Sequence, residues 1–164
     1  AGADLVNDIW GFKFDKKTAL MTAKYNAACC LMHNKDEAVY NDFLEDMVSE
    51  MAECVKIAKE AGVADDKIML DPGVGFGKTY EMNLAAINHV DVLHRLGFPI
   101  LLGTSRKSVI GNTLNLPADQ RVEGTLATTV IGVMKNCAFV RVHDIKENKR
   151  AILMTEEILG RNIT

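Results

Sequence analysis

The sequence predicts an α/β fold in which helices cover a parallel β-sheet. Short apolar runs alternate with helical patterns five times along the 164 residues, and helices rather than hairpin turns separate the runs. Runs that are apolar throughout are typical of parallel strands, because both faces of a parallel sheet are buried. Hydrophobic residues make up 48% of the chain, enough for one core, so residues 1–164 are predicted to form a single domain.

The predicted elements follow one another in a regular order. We expect strands over the apolar runs at residues 5–9, 27–32, 68–71, 100–103 and 139–142. We expect helices over residues 16–25, 40–61, 80–96, 124–135 and 149–159. The longest helix has an apolar stripe at spacings of three and four, formed by Phe43, Met47, Met51, Val55 and Ala58. This stripe should face the sheet, and Gly62 and Gly97 are placed to end the second and third helices.

Three of the predicted strands stop abruptly at polar residues. The third runs into DPGVGFGK (71–78), the fourth into GTSRKS (103–108), and the fifth carries Arg141 and leads to His143. Strand ends that precede helices lie on one face of a parallel sheet, so groups that are distant in sequence converge there. We therefore expect an active site on that face.

Composition and charge indicate a small-molecule partner. The formal net charge of −3 and the pI near 5.8 give no overall attraction for nucleic acid or acidic lipid, so a bound anion must be held by local groups. No apolar run approaches the roughly 18 residues of a membrane span, and the first residues lack the basic start of a secretory signal. We expect a soluble, cytoplasmic protein whose four cysteines are reduced, because they form no CxxC pair and no metal-ligand spacing.

Five segments, in order along the chain, resemble the dihydropteroate synthase family. They are NDI (7–9), MH (32–33), DPGVGFGK (71–78), GTSRKS (103–108) and RVHD (141–144). The resemblance extends from Gly2 to about Leu159. It implies a TIM barrel and a transferase that joins 6-hydroxymethyl-7,8-dihydropterin diphosphate to p-aminobenzoate in folate biosynthesis. Pyrophosphate is released, Mg²⁺ is the implied cofactor, and sulfonamides compete for the second site.

A complete (β/α)₈ barrel has eight βα units in roughly 250 residues, whereas five units are found here. We therefore expect a partial TIM barrel of parallel strands 4 to 8 with their helices, and the N-terminal units absent. The metal-associated Asn of the family would lie in that absent part, so no metal ligand is expected in this chain. Unpaired outer strands should favour a homodimer or other self-association, and activity alone should be weak or absent.

Two other functions remain open. A pterin-binding methyltransferase of the same superfamily would share the pterin residues but use no diphosphate, and GTSRKS and RVHD argue against it. A non-catalytic pterin-binding fragment is the second alternative.

The resemblance implies a pterin site formed by Asn7, Ile9, Met32, Asp71, Lys107 and Arg141. Asp71 ends an apolar strand, where an unpaired carboxylate is costly, so it should have a partner. A carboxylate can accept two neighbouring N–H groups of a pterin, and Asn7 offers both a donor and an acceptor. From the residues alone, Asp71 could equally cap the turn at Pro72 and Gly73, and Met32 could belong to the core.

The p-aminobenzoate site is expected at Phe76, Lys107 and Ser108. Lys107 and Ser108 stand where a loop enters a helical pattern, so a lysine and free backbone N–H groups would meet a carboxylate together. Alternatively, the charged residues only make the loop soluble, which is the expectation for Arg106, solvated or salt-bridged. No role is assigned to His33, because the connection that follows it is short.

The expected catalytic residues are Lys107, Arg141 and His143. Arg141 and His143 are two positions apart, and alternate side chains of a strand share a face. Because both can donate hydrogen bonds to phosphate oxygens, the pair is expected to bind the diphosphate. In the alternative interpretation, a buried Arg141 forms a salt bridge with Asp144.

The segment DPGVGFGKT (71–79) nearly matches the phosphate-binding pattern GxxxxGK[ST], which would need glycine where Pro72 stands. Proline has no N–H to offer a phosphate, so nucleotide hydrolysis is not expected. The three glycines of the segment should instead shape a tight loop that sets Phe76 beside the amine substrate.

Overall fold

The computed structural model describes residues 2–161. Within them the strands are β1 (Leu5–Asp8), β2 (Ala28–Met32), β3 (Ile68–Asp71), β4 (Leu101–Leu102) and β5 (Phe139–Val140). The helices are α1 (Lys16–Lys24), α2 (Phe43–Glu60), α3 (Tyr80–Asn88), α4 (Ser108–Leu114), α5 (Val122–Met134) and α6 (Ile145–Ile158). Each strand is followed by at least one helix, as the sequence predicts.

All the strand pairs among the described residues are parallel. β1 pairs with β2, and β2 with β3, so that Met32 stands opposite Asp71. β4 pairs with β5, and a parallel bridge between Leu70 and Ile100 joins β3 to the segment that enters β4. The spatial order is therefore β1-β2-β3-β4-β5. The predicted α/β fold with parallel strands is confirmed, and the carboxyl ends of the strands share one edge.

Helix α2 shows how the sequence determines a packed element. Its N-cap is Asp42, whose side chain accepts a hydrogen bond from the backbone N–H of Glu45. Four of the five stripe residues are buried, and Phe43 at the start of the helix is half-buried. Burying such side chains stabilises the fold by roughly 25 cal/mol per Å² of apolar surface, which fixes the helix against the sheet.

Several observed elements differ from the predicted ones: α4 (Ser108–Leu114) lies outside the predicted helices, β5 ends at Val140 rather than at residue 142, and two helices have other bounds. The helix predicted over residues 80–96 ends at Asn88 and continues as a 3₁₀ segment, Val90–Leu96, because the backbone of His89 leaves the helical region at a φ of −116°. The last helix begins at Ile145 rather than near residue 149, with Asp144 as its N-cap. These differences keep the predicted alternation of strands and helices, with α4 as an additional helix between β4 and α5.

The four cysteines are free thiols, and three of them are buried. Burial raises the pKa of the thiols of Cys29, Cys30 and Cys137 to about 12, and that of Cys54 to about 11. A thiol with such a pKa is protonated near neutral pH and is a poor nucleophile. Among the helices that the structure describes, none is both long enough and apolar enough to cross a bilayer.

Candidate active site

One arginine connects three strands at their carboxyl ends. The guanidinium of Arg141, directly after β5, donates from Nη1 to Oδ1 of Asn7 in β1 over 3.0 Å. It also donates from Nη2 to Oδ2 of Asp71, the last residue of β3, over 3.1 Å. Three residues of the predicted pterin site, separated by up to 134 positions, are thus brought into contact.

Asp71 is fully buried and has the partners that its burial demands. Its Oδ1 accepts a hydrogen bond from the backbone N–H of Gly73 over 2.8 Å, while Oδ2 accepts from Arg141. The Asp71 carboxylate therefore does two things at once. It caps the turn, as the sequence allowed, and it contacts Arg141 in the site. Each carboxylate oxygen can accept two hydrogen bonds, so Asp71 keeps capacity for a ligand.

Gly103, at the end of β4, leaves the space that the guanidinium needs. A Cβ added at this glycine would lie 2.8 Å from Nη2 of Arg141. Any larger residue would have to push the guanidinium aside, because this separation is shorter than real Cβ contacts. The glycine that opens GTSRKS thus belongs to the site through the room it provides.

Three backbone carbonyl oxygens of the loop of residues 73–78 accept hydrogen bonds from two lysines. The ammonium of Lys107 donates to the carbonyl of Val74 and lies 4.9 Å from the centroid of the Phe76 ring. The ammonium of Lys78 donates to the carbonyls of Gly73, over 3.1 Å, and Phe76, over 3.0 Å. A phosphate-binding loop needs the opposite polarity, because it surrounds its anion with N–H groups.

Lys107 and Ser108 lie at the start of α4, next to this loop. Lys107 is the N-cap residue and Ser108 the first residue of the helix, and the Ser108 side chain is exposed. Burial lowers the pKa of the Lys107 ammonium, with Asp71 opposing the shift and Arg141 adding to it. The structure thus places Lys107 against the Phe76 ring, two of the three residues predicted for p-aminobenzoate.

His143 and Arg141 have different partners. Oγ of Ser105 accepts a hydrogen bond from the backbone N–H of His143 over 3.1 Å and lies 2.8 Å from its Nδ1. The Ser105 hydroxyl thus holds both the backbone and the ring of His143, and Nε2 is the ring nitrogen that it does not contact. Ser105 was missed by the sequence interpretation, since a serine between a threonine and an arginine gives no signal of its own.

The salt bridge considered between Arg141 and Asp144 is wrong. Asp144 pairs instead with Arg106, whose Nη2 and Nε donate to its two carboxylate oxygens over 2.6 and 3.2 Å. These hydrogen bonds hold the pKa of Asp144 below its ordinary value. The expectation that Arg106 is salt-bridged is met. Arg141 does not contact Asp144 and instead pairs with Asn7 and Asp71 at the strand ends.

The two apolar residues of the predicted pterin site differ in exposure. Ile9, which follows β1, is 44% exposed, whereas Met32 at the end of β2 is 1% exposed. Ile9 therefore offers an apolar surface to a ligand, while Met32 has the burial of a core residue.

A partly buried polar cluster lies behind the loop, and the sequence interpretation assigned no role to its residues. His33 is 0% exposed, its Nδ1 lies 2.8 Å from the ammonium of Lys78, and its Nε2 lies 2.9 Å from Oε2 of Glu50. Oε1 of Glu50 accepts from Lys35 over 2.6 Å. The available signal was a histidine directly after a buried strand and a lysine closing a glycine-rich loop. We call these four residues the His33 cluster.

No metal-binding group was found in the part of the chain that the structure describes. Residues 2–161 contain no cluster of three or more His, Cys, Asp or Glu side chains that could hold an ion. Each carboxylate at the rim has its own cationic or N–H partner, as Asp71 and Asp144 show. These residues therefore do not fit a metal site formed by the protein alone.

Comparisons with known proteins show which proteins this chain resembles. The dihydropteroate synthase of Clostridium beijerinckii is 60% identical over 162 residues, which are 98% of this chain and 60% of that protein. The dihydropteroate synthase from Clostridium difficile, crystallised in the presence of pteroic acid, is 46% identical with a TM-score of 0.93. It aligns with 96% of this chain, which covers 60% of that structure.

A dihydropteroate synthase from Yersinia pestis, in complex with a sulfonamide drug, is 34% identical with a TM-score of 0.92. It aligns with 98% of this chain, which covers 61% of that structure. This chain thus spans about 60% of the length of the relatives it matches. The family described as "Pterin binding enzyme" matches residues 1–143, and the chain belongs to this family.

Proposed function

We propose that this chain forms the C-terminal five βα units, strands 4 to 8, of a dihydropteroate synthase barrel. The proposed reaction condenses 6-hydroxymethyl-7,8-dihydropterin diphosphate with p-aminobenzoate to give 7,8-dihydropteroate and pyrophosphate. The observation that carries the proposal is the contact of Arg141 with both Asn7 and Asp71, because it gathers donors and acceptors for a pterin beside a cation for the diphosphate. The Clostridium difficile relative was crystallised in the presence of pteroic acid, a compound that joins a pterin to p-aminobenzoate.

The reach of Arg141 supports a curved, barrel-like sheet. Neighbouring strands are about 4.8 Å apart, so the outer strands of a flat five-stranded sheet would be about 19 Å apart. An arginine and an asparagine side chain cannot bridge that distance, yet Arg141 and Asn7 meet at 3.0 Å. Curling of the sheet, as in a barrel, brings the outer strands toward each other.

In the proposed reaction, the aryl amine attacks the methylene carbon of the pterin substrate while the bond to the diphosphate oxygen breaks. An aryl amine is mostly neutral near pH 7, so the protein has to align it and stabilise the negative charge that develops on the leaving group. Arg141 and His143 are assigned to the leaving group. Arg141 has five N–H donors, of which the contacts with Asn7 and Asp71 use two, and His143 offers Nε2, the ring nitrogen that Ser105 does not contact.

The remaining residues bind and orient the two substrates. Asp71 and Asn7 are assigned to the polar edge of the pterin, with Ile9 and Met32 as its apolar neighbours. Ser108 and Lys107 are assigned to the carboxylate of p-aminobenzoate, and Phe76 to its ring. Lys107 lies within reach of both ligands, because its ammonium stands over the Phe76 ring and its charge interacts with that of Asp71.

Mg²⁺ is proposed as a cofactor bound through the diphosphate. Mg²⁺ is usually held by substrate phosphates and only one or two carboxylates. When bound, the ion would neutralise negative charge on the leaving pyrophosphate. The residues described here are assigned no step that passes through it.

The isolated 164-residue chain is proposed to be weakly active and to self-associate. In the described sheet, β1 pairs only with β2 and β5 only with β4, so both outer edges have free backbone groups. Apolar side chains are exposed near both edges, including Ile9 at 44%, Phe139 at 48% and Ile145 at 70%. Such edges favour pairing with another copy. Sedimentation showing a stable monomer with full activity would contradict this.

The decisive experiment is product analysis with the complete protein. We expect dihydropterin diphosphate and p-aminobenzoate to be converted into 7,8-dihydropteroate and pyrophosphate. Chromatography detects the dihydropteroate, and a phosphate-release assay detects the pyrophosphate. Calorimetry with dihydropterin diphosphate measures binding separately. Binding without any product in the presence of p-aminobenzoate would reject the synthase and favour the methyltransferase alternative. Absence of binding would reject the pterin site itself.

A further inference from the structure

The His33 cluster lies directly behind the loop that carries Phe76. Lys78 closes the loop, His33 follows β2, and Glu50 is on α2, so three separate elements meet there. None of the carboxylates among residues 2–161 lies within salt-bridge distance of Lys78. Its cation is held instead by one ring nitrogen and two carbonyl oxygens.

The hydrogen bonds of Lys78 use its whole donor capacity. A lysine ammonium has three N–H donors, and its acceptors are Nδ1 of His33 at 2.8 Å and the carbonyls of Gly73 and Phe76 at 3.1 and 3.0 Å. Since Nδ1 accepts, neutral His33 carries its proton on Nε2, which donates to Glu50 at 2.9 Å. Every hydrogen-bonding group of the lysine and the imidazole is therefore satisfied in one arrangement only.

The loop depends on this arrangement at both of its ends. The carbonyls of Gly73 and Phe76 are three residues apart, and the backbone N–H of Phe76 also donates to the carbonyl of Gly73 over 3.0 Å. Lys78 thus closes the turn that sets the direction of the Phe76 ring. At Gly73 and Gly77 the backbone adopts φ values of 68° and 54°, a region that glycine enters without strain and other residues rarely adopt.

We propose that Lys78 is a positioning residue for the amine substrate, tying the Gly73 and Phe76 carbonyls to the His33–Glu50 pair so that the Phe76 ring is held in its binding orientation. This inference rests on the proposed synthase function and extends it to a residue that touches no substrate. Lys107 contacts the same loop from the site, through the carbonyl of Val74, while Lys78 holds it from behind.

The charge state of Lys78 determines whether all three contacts exist. Burial lowers the pKa of Lys78 to about 7; Asp71 and Glu50 oppose the shift, and Lys107 and Lys13 add to it. A neutral amine has only two N–H donors, so one acceptor is lost when the proton leaves. Burial and then the charge of Lys78 lower the pKa of His33, which keeps its Nδ1 available as an acceptor.

The test compares Lys78→Met with Lys56→Met in the complete protein. Methionine keeps much of the length of lysine but donates no hydrogen bond, and Lys56 is an exposed residue of α2. We expect Lys78→Met to raise the KM for p-aminobenzoate about tenfold or more, since three hydrogen bonds of a charged group are lost. The KM for dihydropterin diphosphate should change much less, because Asp71 keeps its place in β3. Lys56→Met should change neither.

The pH profile separates positioning from a merely structural role. In the wild-type protein the KM for p-aminobenzoate should rise as the pH passes above about 7, and this step should be missing in Lys78→Met. If the KM for p-aminobenzoate still rises above about pH 7 in Lys78→Met, the rise is caused by another group, such as Lys107. That result would overturn the proposal. Equal changes in both KM values, together with a lower melting temperature, would mean that Lys78 only stabilises the fold.

A pair of variants at His33 gives an independent test if Lys78→Met does not fold. In His33→Asn an amide oxygen can stand near the position of Nδ1 and accept from Lys78, whereas His33→Leu has no acceptor. We expect the asparagine variant to keep the KM for p-aminobenzoate within about threefold of the wild type and the leucine variant to raise it like Lys78→Met. Equal KM values in the two variants would overturn the proposal. A wild-type protein that makes no dihydropteroate would instead refute the synthase function.

Discussion

Replacing Asp71 by asparagine should abolish tight pterin binding and leave the fold nearly as stable. The two side chains have the same shape, and Asp71 is fully buried, so the variant tests charge and hydrogen bonding alone. An asparagine oxygen can still accept from the backbone N–H of Gly73, the contact that Oδ1 now makes at 2.8 Å. The amide NH₂ of the asparagine then faces Nη2 of Arg141. Because both groups are donors, the 3.1 Å hydrogen bond between Nη2 and Oδ2 of Asp71 is lost.

Two opposing effects on stability nearly cancel in this variant. Loss of a hydrogen bond between charged groups costs about 1.5–3 kcal/mol. Removing the buried carboxylate, however, removes a desolvation penalty of several kcal/mol, and the side chain of Arg141 is 45% exposed and can turn to water. We therefore expect the free energy of unfolding to change by no more than about 1 kcal/mol.

The effect on binding has no such compensation. A pterin that donates two N–H groups to a carboxylate loses two charge-assisted hydrogen bonds, worth about 3 kcal/mol together, or roughly a hundredfold in Kd. Calorimetry with dihydropterin diphosphate measures the Kd, chemical denaturation measures stability, and Asp66→Asn, at an exposed position, is the control. A Kd within threefold of the wild type would refute the assignment of Asp71 to the pterin.

Four further outcomes are expected. Arg141→Ala should lower kcat at least about a hundredfold and change the Kd for the pterin substrate much less, because the leaving group loses its guanidinium; an unchanged kcat would refute that role. Gly103→Ala should displace the same guanidinium, since the added Cβ would lie 2.8 Å from Nη2, and should lower kcat about tenfold at nearly unchanged melting temperature. Ser105→Ala should lower kcat several-fold by releasing the ring of His143, and Ser105→Thr, which keeps the hydroxyl, should restore activity. Finally, burial lowers the pKa of Lys78 from 10.5 to about 7, so the unfolded chain binds the extra proton between pH 7 and 9 and stability should rise over that range. Denaturation at several pH values should show a rise of up to about 2 kcal/mol, absent in Lys78→Met.

The order of the elements could be predicted because local patterns determine it. The stripe from Phe43 to Ala58 repeats at helical spacing, and four of its five residues are buried as that spacing requires. The break at His89 could not be predicted, since residues 80–96 keep an apolar pattern through both the α-helix and the 3₁₀ segment. Element boundaries depend on single backbone angles, which periodicity does not report.

The site was predictable to the level of strand ends but not of individual contacts. Asp71, Lys107 and Arg141 were expected on one face because parallel strands place their carboxyl ends together. That Arg141 pairs with Asp71 and Asn7, and not with Asp144, follows from the curvature of the sheet and from the capture of Asp144 by Arg106. Neither the curvature nor this competition among charged partners is visible in a linear sequence.

Local charge, not the net charge of the chain, determines which ligand the site can hold. The chain carries −3 overall, yet at the rim two cations, Arg141 and Lys107, accompany one buried carboxylate, Asp71. Asp144 adds no free negative charge, because Arg106 pairs with it through two hydrogen bonds. A surplus of positive charge in a partly buried place attracts an anion more strongly, and with less screening by salt, than the same charges in water. A neutral pterin would leave that surplus uncompensated, whereas a pterin diphosphate followed by a substrate carboxylate would balance it, which is why the proposed pair of substrates suits an acidic protein.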